Sequence, residues 1–472
     1  METKKVDALV IGAGPGGYVA GIRLAQLGKK TLVVDKQYVG GVCLNVGCIP
    51  SKALINAAKT FEKTKHSDKM GIVVESAHVD FAKLQDWKNG IVKKLTGGVA
   101  TLLKANGAEY LAGTATFKSA REVEVQTDKG PVLVQADNVI IATGSRPIQI
   151  PGFPFGNRVW SSTEALDAAN VPEKLVVIGG GYIGLELGSA YAKLGADVTV
   201  VEAAGQLLPG VDPELVAVVA KKLQSKGIKV HTNAKALGFE EKGGKGQVKL
   251  DVGGKQETFE CDAVLVTVGR RPNSENIGLE KIGVALDNRG FVKVDKQLRT
   301  NVPGVFAIGD IAGQPMLAHK ASFEAEVVAE VIAGKPAAMD VRAIPAVIFT
   351  DPEIATSGMT PAEAQEKGIQ TLVGKFPFAA SGRAMTTGET DGFVKVLVDK
   401  TSHQVLGIGI VGPQASDLIA EATLGIEMAA FVEDFALTIH AHPTLPEALM
   451  EAVKNAVGEA VHVVNGPALA KK

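Results

Sequence analysis

Two cysteines stand close together in Gly40-Gly41-Val42-Cys43-Leu44-Asn45-Val46-Gly47-Cys48-Ile49-Pro50-Ser51-Lys52, with four residues between them. The whole chain of 472 residues holds only three. That excludes a disulfide-scaffolded secreted fold. In a reducing compartment a close pair is more often catalytic or metal-binding than structural. Zinc needs four suitable ligands, and nothing near Cys43 supplies two more. Redox dithiol chemistry stands against a plainer reading, two unpaired thiols beside a turn. A disulfide needs Cα atoms about 4.4–6.8 Å apart. Positions i and i+5 of a straight helix are farther apart and on different faces. The segment is therefore expected to bend, with Gly47 and Pro50 as disruptors. Lys52 adds positive charge nearby, and positive charge or a helix N-terminus favours thiolate. The third cysteine, Cys261, opens an apolar run and reads as core.

A redox pair needs an electron partner, and two stretches have the right form. Residues 6–12 read as a buried parallel strand, short and β-branched. Gly12-Ala13-Gly14-Pro15-Gly16-Gly17 then opens a helix reaching about Gly28, and a strand from Thr31 to Val34 ends at Asp35. Gly12, Gly14 and Gly17 make the dinucleotide turn: a tight bend, close approach to a pyrophosphate, and helix–strand packing. The helix N-terminus offers N–H groups to the phosphates. Asp35 stands where a carboxylate accepts from a ribose. At a constant offset of 167 the pattern repeats in Gly179, Gly181 and Gly184, and Glu202 falls where Asp35 does. One such turn is weak evidence, but two over a whole βαβ unit point to two dinucleotide sites. Glu202 accepts from the 2′-OH of NAD and repels the 2′-phosphate of NADP, and no arginine follows in Ala203-Ala204-Gly205-Gln206.

Thiol exchange also needs a base. His440-Ala441-His442-Pro443-Thr444-Leu445-Pro446-Glu447 sets two histidines near a carboxylate. A neutral imidazole can take a thiol proton near neutral pH, and a carboxylate can hold its other nitrogen. A zinc site of His440, His442 and Glu447 lacks further ligands.

The length implies about three domains to position these parts. The chain is 46% hydrophobic with a mean hydropathy of +0.16, so a large interior is available. Aromatics are 5%, and 50 basic residues face 51 acidic ones with no basic block. Neither nucleic acid nor an anionic membrane is an expected partner. Near the N-terminus Asp7 and glycines interrupt the apolar run, so it does not read as a signal peptide. No run of 18 apolar residues follows, and a soluble cytoplasmic protein is expected. The strand Asp137–Ile141, ending in Ala142-Thr143-Gly144-Ser145, resembles the strand before Gly269-Arg270-Arg271-Pro272. Each closes a nucleotide unit, and the later unit reads as an insertion within the earlier one. Helices are expected at 51–66 and 88–106, with short strands over 108–136. The expected fold class is α/β: two Rossmann-like domains, one inserted in the other, and a C-terminal α+β domain. The boundaries are 1–147, 148–272, a return to the first domain at 273–342, and 343–472. Strands near 347–350, 394–398 and 404–410 precede helices at about 415–430 and 445–459. The tail from Asn465 is expected to fray.

The cysteine segment resembles the FAD-dependent pyridine nucleotide–disulfide oxidoreductases. With Met316-Leu317-Ala318-His319-Lys320 and the His440–Glu447 segment, it is similar to the branch that oxidises dihydrolipoamide. The likeness runs over nearly the whole chain in family order. It implies that Cys43 exchanges with substrate while Cys48 faces the flavin. It implies Lys52 near the flavin, paired with Glu186. FAD would be held by Gly12, Gly14, Gly17, Asp35, the backbone near Ala115, Thr143, Gly144, Ser145, Asp310 and Met316, Leu317, Ala318 and His319. NAD would be held by Gly179, Gly181, Gly184, Glu186, Glu202, Ala236 and Gly269. His442, the histidine before Pro443, would be the base and Glu447 its orienter. The C-terminal domain would form a homodimer that joins Cys43 of one subunit to the other's histidine. Partners would be lipoyl groups of acyltransferase or carrier proteins. Two departures stand out: Asp at position 35, often Glu in this family, and Pro446. Glutathione- or mercuric-type reductases are the nearest alternatives, but those use NADPH, against Glu202. A nucleotide-binding protein without turnover would need neither Cys43 nor His442.

Overall fold

β1 (Glu2–Ile11) runs through the middle of a parallel sheet in this computed structural model, which describes residues 1–465. It pairs with β2 (Thr31–Asp35) on one side and with the strand Gly130–Ile141 on the other. Leu9 lies opposite both Leu32 and Val139, and all three are fully buried. Strands covered on both faces read as continuous apolar runs, which is why this one was legible. Glu109–Ala112 extends the sheet beyond β2, and Val305–Ala307 extends it beyond Gly130–Ile141, both parallel. Between them an antiparallel meander, Thr114–Ser119 and Glu122–Thr127, leads into Gly130–Ile141.

The chain divides into two compact units: Met1–Val171 with Thr267–Asp340, and Pro172–Val266 with the chain from Val341 on. In the second unit β3 (Lys174–Ile178) and β4 (Asp197–Val201) pair in parallel, flanked by Ala263–Val266 and Lys229–His231. An antiparallel meander follows in Ala234–Lys242, Lys245–Val252 and Lys255–Cys261. Cys261 is buried, as expected. The C-terminal part is a five-stranded antiparallel sheet carrying Ala346–Ile348, Phe393–Asp399 and Val405–Gly412. Its core joins Phe376, Phe378 and Ile410 to Ile419 of helix Ala415–Glu427 and Leu449 of helix Glu447–Ala456.

One helix boundary and one bend differ from expectation. The helix expected from 88 begins at Phe81, because the Asp80 side chain accepts from the Lys83 N–H and caps it. Pro50 lies inside the first turn of a helix, where its missing N–H has no helical partner to lose, so it does not bend the chain. Residues 466–472, most of the tail expected to fray, lie outside the described residues. Among the described residues no helix is long and apolar enough to cross a membrane.

Candidate active site

The cysteine segment is two helices. α2 (Gly41–Val46) carries Cys43, and α3 (Cys48–Thr64) starts with Cys48. Gly47 breaks the run between them with φ −142° and ψ −113°. α2 is held against the first glycine turn, which itself opens α1 (Pro15–Gln26). Gly40 N–H donates to Ala13 O at 2.8 Å, and the Gly41 and Gly14 backbones meet. Gly41 has φ +58°, and a Cβ there would lie 2.5 Å from Gly14 Cα. Strain and clash together make Gly41→Ala cost about 2 kcal/mol or more. Thermal unfolding is the check: an unchanged midpoint would show this junction to be slack.

Cys43 is partly buried and Cys48 exposed; no disulfide joins them, and their side chains are in hydrogen-bond contact. That bond, then burial and the neighbouring Cys48 charge, push the Cys43 thiol far above its ordinary value, while Lys52 draws it down. With Cys43 holding its proton, Cys48, at the positive end of α3, is the better place for a thiolate. Tyr18, missed in the sequence, lines the same apolar cluster as Cys43. Burial, then the Cys43 charge, raises its phenol above the ordinary value.

The first turn fits a dinucleotide. A Cβ on Gly12, at φ +110°, would lie 2.1 Å from Ala142 O. α1 has Gly14 at its N-cap and no side-chain cap, so its first N–H groups face outward for phosphate. Asp35 accepts from Ala13 N–H at 2.8 Å and Gln37 N–H at 2.7 Å, and its own carbonyl accepts from Gly113 N–H, two residues before Ala115. Ser145 Oγ donates to Asp310 at 2.5 Å and accepts from Arg270 Nε at 2.8 Å. Asn273 braces Thr143 and Gly144 through their carbonyls. Leu317 caps helix Ala318–Ile332 without a side-chain bond. A buried pair one turn on, Lys320–Glu324 at 2.7 Å, holds the Gly309 N–H beside Asp310. Arg270, Asn273 and Glu324 were not singled out in the sequence. Only the i,i+4 spacing of Lys320 and Glu324 was a readable signal.

The second turn repeats the first in its hydrogen bonds. Glu202 accepts from Gly180 N–H and Ala204 N–H, each at 2.7 Å, the same positions relative to it as Ala13 and Gln37 are to Asp35. Gly181 caps α4 (Tyr182–Lys193) with no side-chain bond, and Gly184 lies buried within it. Ala234 N–H donates to Glu202 O, placing Ala236 just beyond. Glu186 is buried and accepts from Phe349 N–H at 2.9 Å. Lys52 and Gly269 belong to the first unit, Glu186 to the second.

The histidine pair separates cleanly. His440 uses both nitrogens, Nδ1 toward Thr438 O at 3.0 Å and Nε2 toward Glu421 at 2.8 Å. His442 Nδ1 meets Glu447 Oε1 at 2.9 Å, and its side chain is 79% exposed. A carboxylate on Nδ1–H fixes the tautomer that leaves Nε2 as proton acceptor. Glu447 is the first residue of α5 (Glu447–Ala456) and accepts from Thr444 N–H at 2.7 Å. Burial alone would raise its carboxyl; the bonds from Thr444 and His442, with the charges of His442 and His462, outweigh that and hold it below the usual carboxylate range. Pro446 sits just before α5, where no helical N–H is needed, and the His442–Glu447 bond forms across it.

A dithiol beside one glycine turn, another turn of the same build, and a carboxylate-held histidine define a nucleotide-linked redox protein. Residues 6–325 match the pyridine nucleotide-disulphide oxidoreductase family and residues 344–453 its dimerisation domain, and the chain belongs to this family. The dihydrolipoyl dehydrogenase of Geobacillus stearothermophilus is 53% identical over 460 residues, 98% of each chain. That of Haloferax volcanii is 50% identical over 465 residues, 97% of this chain and 98% of the other. Among solved structures, LpdA from Mycobacterium tuberculosis superposes with a TM-score of 0.89 at 25% identity, covering 96% of this chain and 99% of that one. The HOCl-induced flavoprotein disulfide reductase RclA from Escherichia coli gives 0.85 at 26%, covering 95% and 99%.

Proposed function

We propose that this chain oxidises protein-bound dihydrolipoamide to lipoamide with NAD, as a flavoprotein dihydrolipoyl dehydrogenase. The observation that carries this is whole-chain identity of 53% to one such enzyme. The local geometry agrees in kind: a dithiol, a base and two dinucleotide turns. FAD, when bound, supplies the two-electron relay between the dithiol and NAD. In our reading Gly12, Gly14, Gly17, Asp35, Ala115, Thr143 to Ser145, Asp310 and Met316 to His319 hold it. Gly179, Gly181, Gly184, Glu186, Glu202, Ala236 and Gly269 hold NAD. Lys52 serves the flavin edge.

His442 takes a proton from one substrate thiol, and the thiolate attacks Cys43 of the Cys43–Cys48 disulfide. The sulfur–sulfur bond breaks, and Cys48 leaves as thiolate. The second substrate sulfur then displaces Cys43, which closes the lipoamide ring and leaves two reduced cysteines. Positive charge at Lys52 and the α3 N-terminus favours the Cys48 thiolate. In a homodimer, Cys43 of one protomer is served by His442 of the partner subunit. We place the enzyme in the cytoplasm, acting on lipoyl groups of acyltransferase or carrier proteins, with neither nucleic acid nor membrane as partner. Purified yellow protein incubated anaerobically with dihydrolipoamide should gain long-wavelength thiolate–flavin absorbance. No such band in the wild type sinks the reading.

Glu202→Ala tests the cofactor side. It orphans the Gly180 and Ala204 N–H groups, a loss of about 1–3 kcal/mol each, and removes the charge facing a 2′-phosphate. The ratio of NAD to NADP turnover should fall by about tenfold or more. A ratio unchanged from wild type would remove Glu202 from selection.

A further inference from the structure

α5 carries two histidine–carboxylate pairs, not one. Glu447 and Glu451 are one turn apart and share a face. Glu447 holds His442. Glu451, only 3% exposed, receives the chain returning past the helix: Val461 N–H and His462 N–H donate to its Oε2 at 3.1 and 3.0 Å. His462 Nδ1 lies 3.1 Å from Glu451 Oε1 while its ring is 72% exposed. That buried oxygen makes no hydrogen bond among the described residues, so its contact with His462 is an ion pair only when the ring is charged. The proposed chemistry of the site uses His442 and Glu447 and leaves this other pair without a part.

We propose that His462 is a positioning residue whose charge, held by Glu451, tunes the proton affinity of His442 through their shared helix face. The inference rests on the reading of His442 as the base. Protonated His462 adds positive charge one turn from Glu447. It thereby weakens Glu447's pull on a proton arriving at His442. The charge of His462 acts on the Glu447 carboxyl, as that of His442 does. Other charges facing this helix are already committed. Lys375 and Lys395 lie on the strands against which α5 packs, but Gly374 is the position that faces the helix, so both lysines point to the other side of the sheet, where Glu214 and Asp212 hold them. On helix Val432–Ala436 Asp434 accepts from Phe431 N–H, beside Glu433. His440 is bound to Glu421, and Lys454 reaches Met450 Sδ.

The test compares full-length holoenzyme with His462→Gln and His462→Lys. Two readouts run across pH: dihydrolipoamide oxidation, and the rate of His442 carbethoxylation by diethyl pyrocarbonate, resolved by mass spectrometry. Removing the charge should move the acid limb of both toward higher pH by about 0.3–1 unit, the size expected for one nearby charge in a partly solvated site. His462→Lys keeps a permanent charge and should hold the limb at or below its wild-type position. The wild-type limb should also rise with salt, since the His462 ring is exposed and its charge is screened. Superimposable profiles for wild type and His462→Gln overturn the proposal, as does an equal shift in both variants, which marks a purely structural role. If His462→Gln does not fold, a raised limb in His462→Lys is enough to overturn it. Wild-type protein that does not oxidise dihydrolipoamide at all refutes the functional reading instead, and carbethoxylation still reports on His462.

Discussion

Cys48→Ser is expected to abolish dihydrolipoamide oxidation, to less than about a thousandth of wild type, and to erase the long-wavelength absorbance. The reason is sulfur chemistry. Exchange needs a second sulfur to leave when substrate attacks Cys43, and a hydroxyl cannot form that bond. Cys48 also begins α3, so the thiolate that forms there sits at the positive end of the helix dipole. Cys43, partly buried and bonded to Cys48, has its thiol pushed up and ionises less readily. Serine at 48 keeps the helix start and the fold, so the variant should purify yellow with an ordinary unfolding midpoint. Stopped-flow reduction with dihydrolipoamide reads the loss. Full turnover in Cys48→Ser would remove the disulfide from the mechanism. The reciprocal Cys43→Ser should also lose turnover while keeping a thiolate at Cys48, and with it the absorbance.

His442→Gln is expected to lower dihydrolipoamide oxidation by about 10²–10⁴-fold, the usual share of a positioned general base. The His442–Glu447 bond leaves only Nε2 to accept a proton, and glutamine has no equivalent. The loss should shrink at high pH, where more substrate thiol is ionised without help. Glu447 stays charged through the acid limb, because its carboxyl is held below the usual range. That limb therefore reports protonation of His442 and not of Glu447. Glu447→Gln should cost less than His442→Gln and leave the limb recognisable but displaced. A pH–rate profile for each variant is the measurement. Equal activity in His442→Gln and wild type would put the base elsewhere, although His440 has neither nitrogen to spare.

Local signals carried far in this chain. Both glycine turns were readable because each is a short-range backbone requirement, written in residues that tolerate positive φ and close approach. Their offset of 167 extends to hydrogen bonds that no spacing rule states. Asp35 and Glu202 each clamp the turn behind them and the loop ahead, through the same relative N–H groups. The bend between the cysteines was legible too, but its cause was split wrongly between two residues. Gly47 makes it, while Pro50 is absorbed by a helix start. The Asp80 cap was overlooked, which put one helix start seven residues late.

By itself the sequence determined the reactive groups: a dithiol, two dinucleotide turns with their acids, and a histidine–carboxylate segment. Those follow from residue type and spacing over a few positions, where covalent geometry leaves little freedom. Only the tertiary structure decided which histidine has a nitrogen to spare and which thiol sits at a helix terminus. It also brought Arg270 and Asn273 to the turn at Thr143–Ser145 and set another histidine beside Glu451. These contacts join residues eleven to more than a hundred positions apart. They form because the sheets and helices pack in one way, and no local preference encodes that.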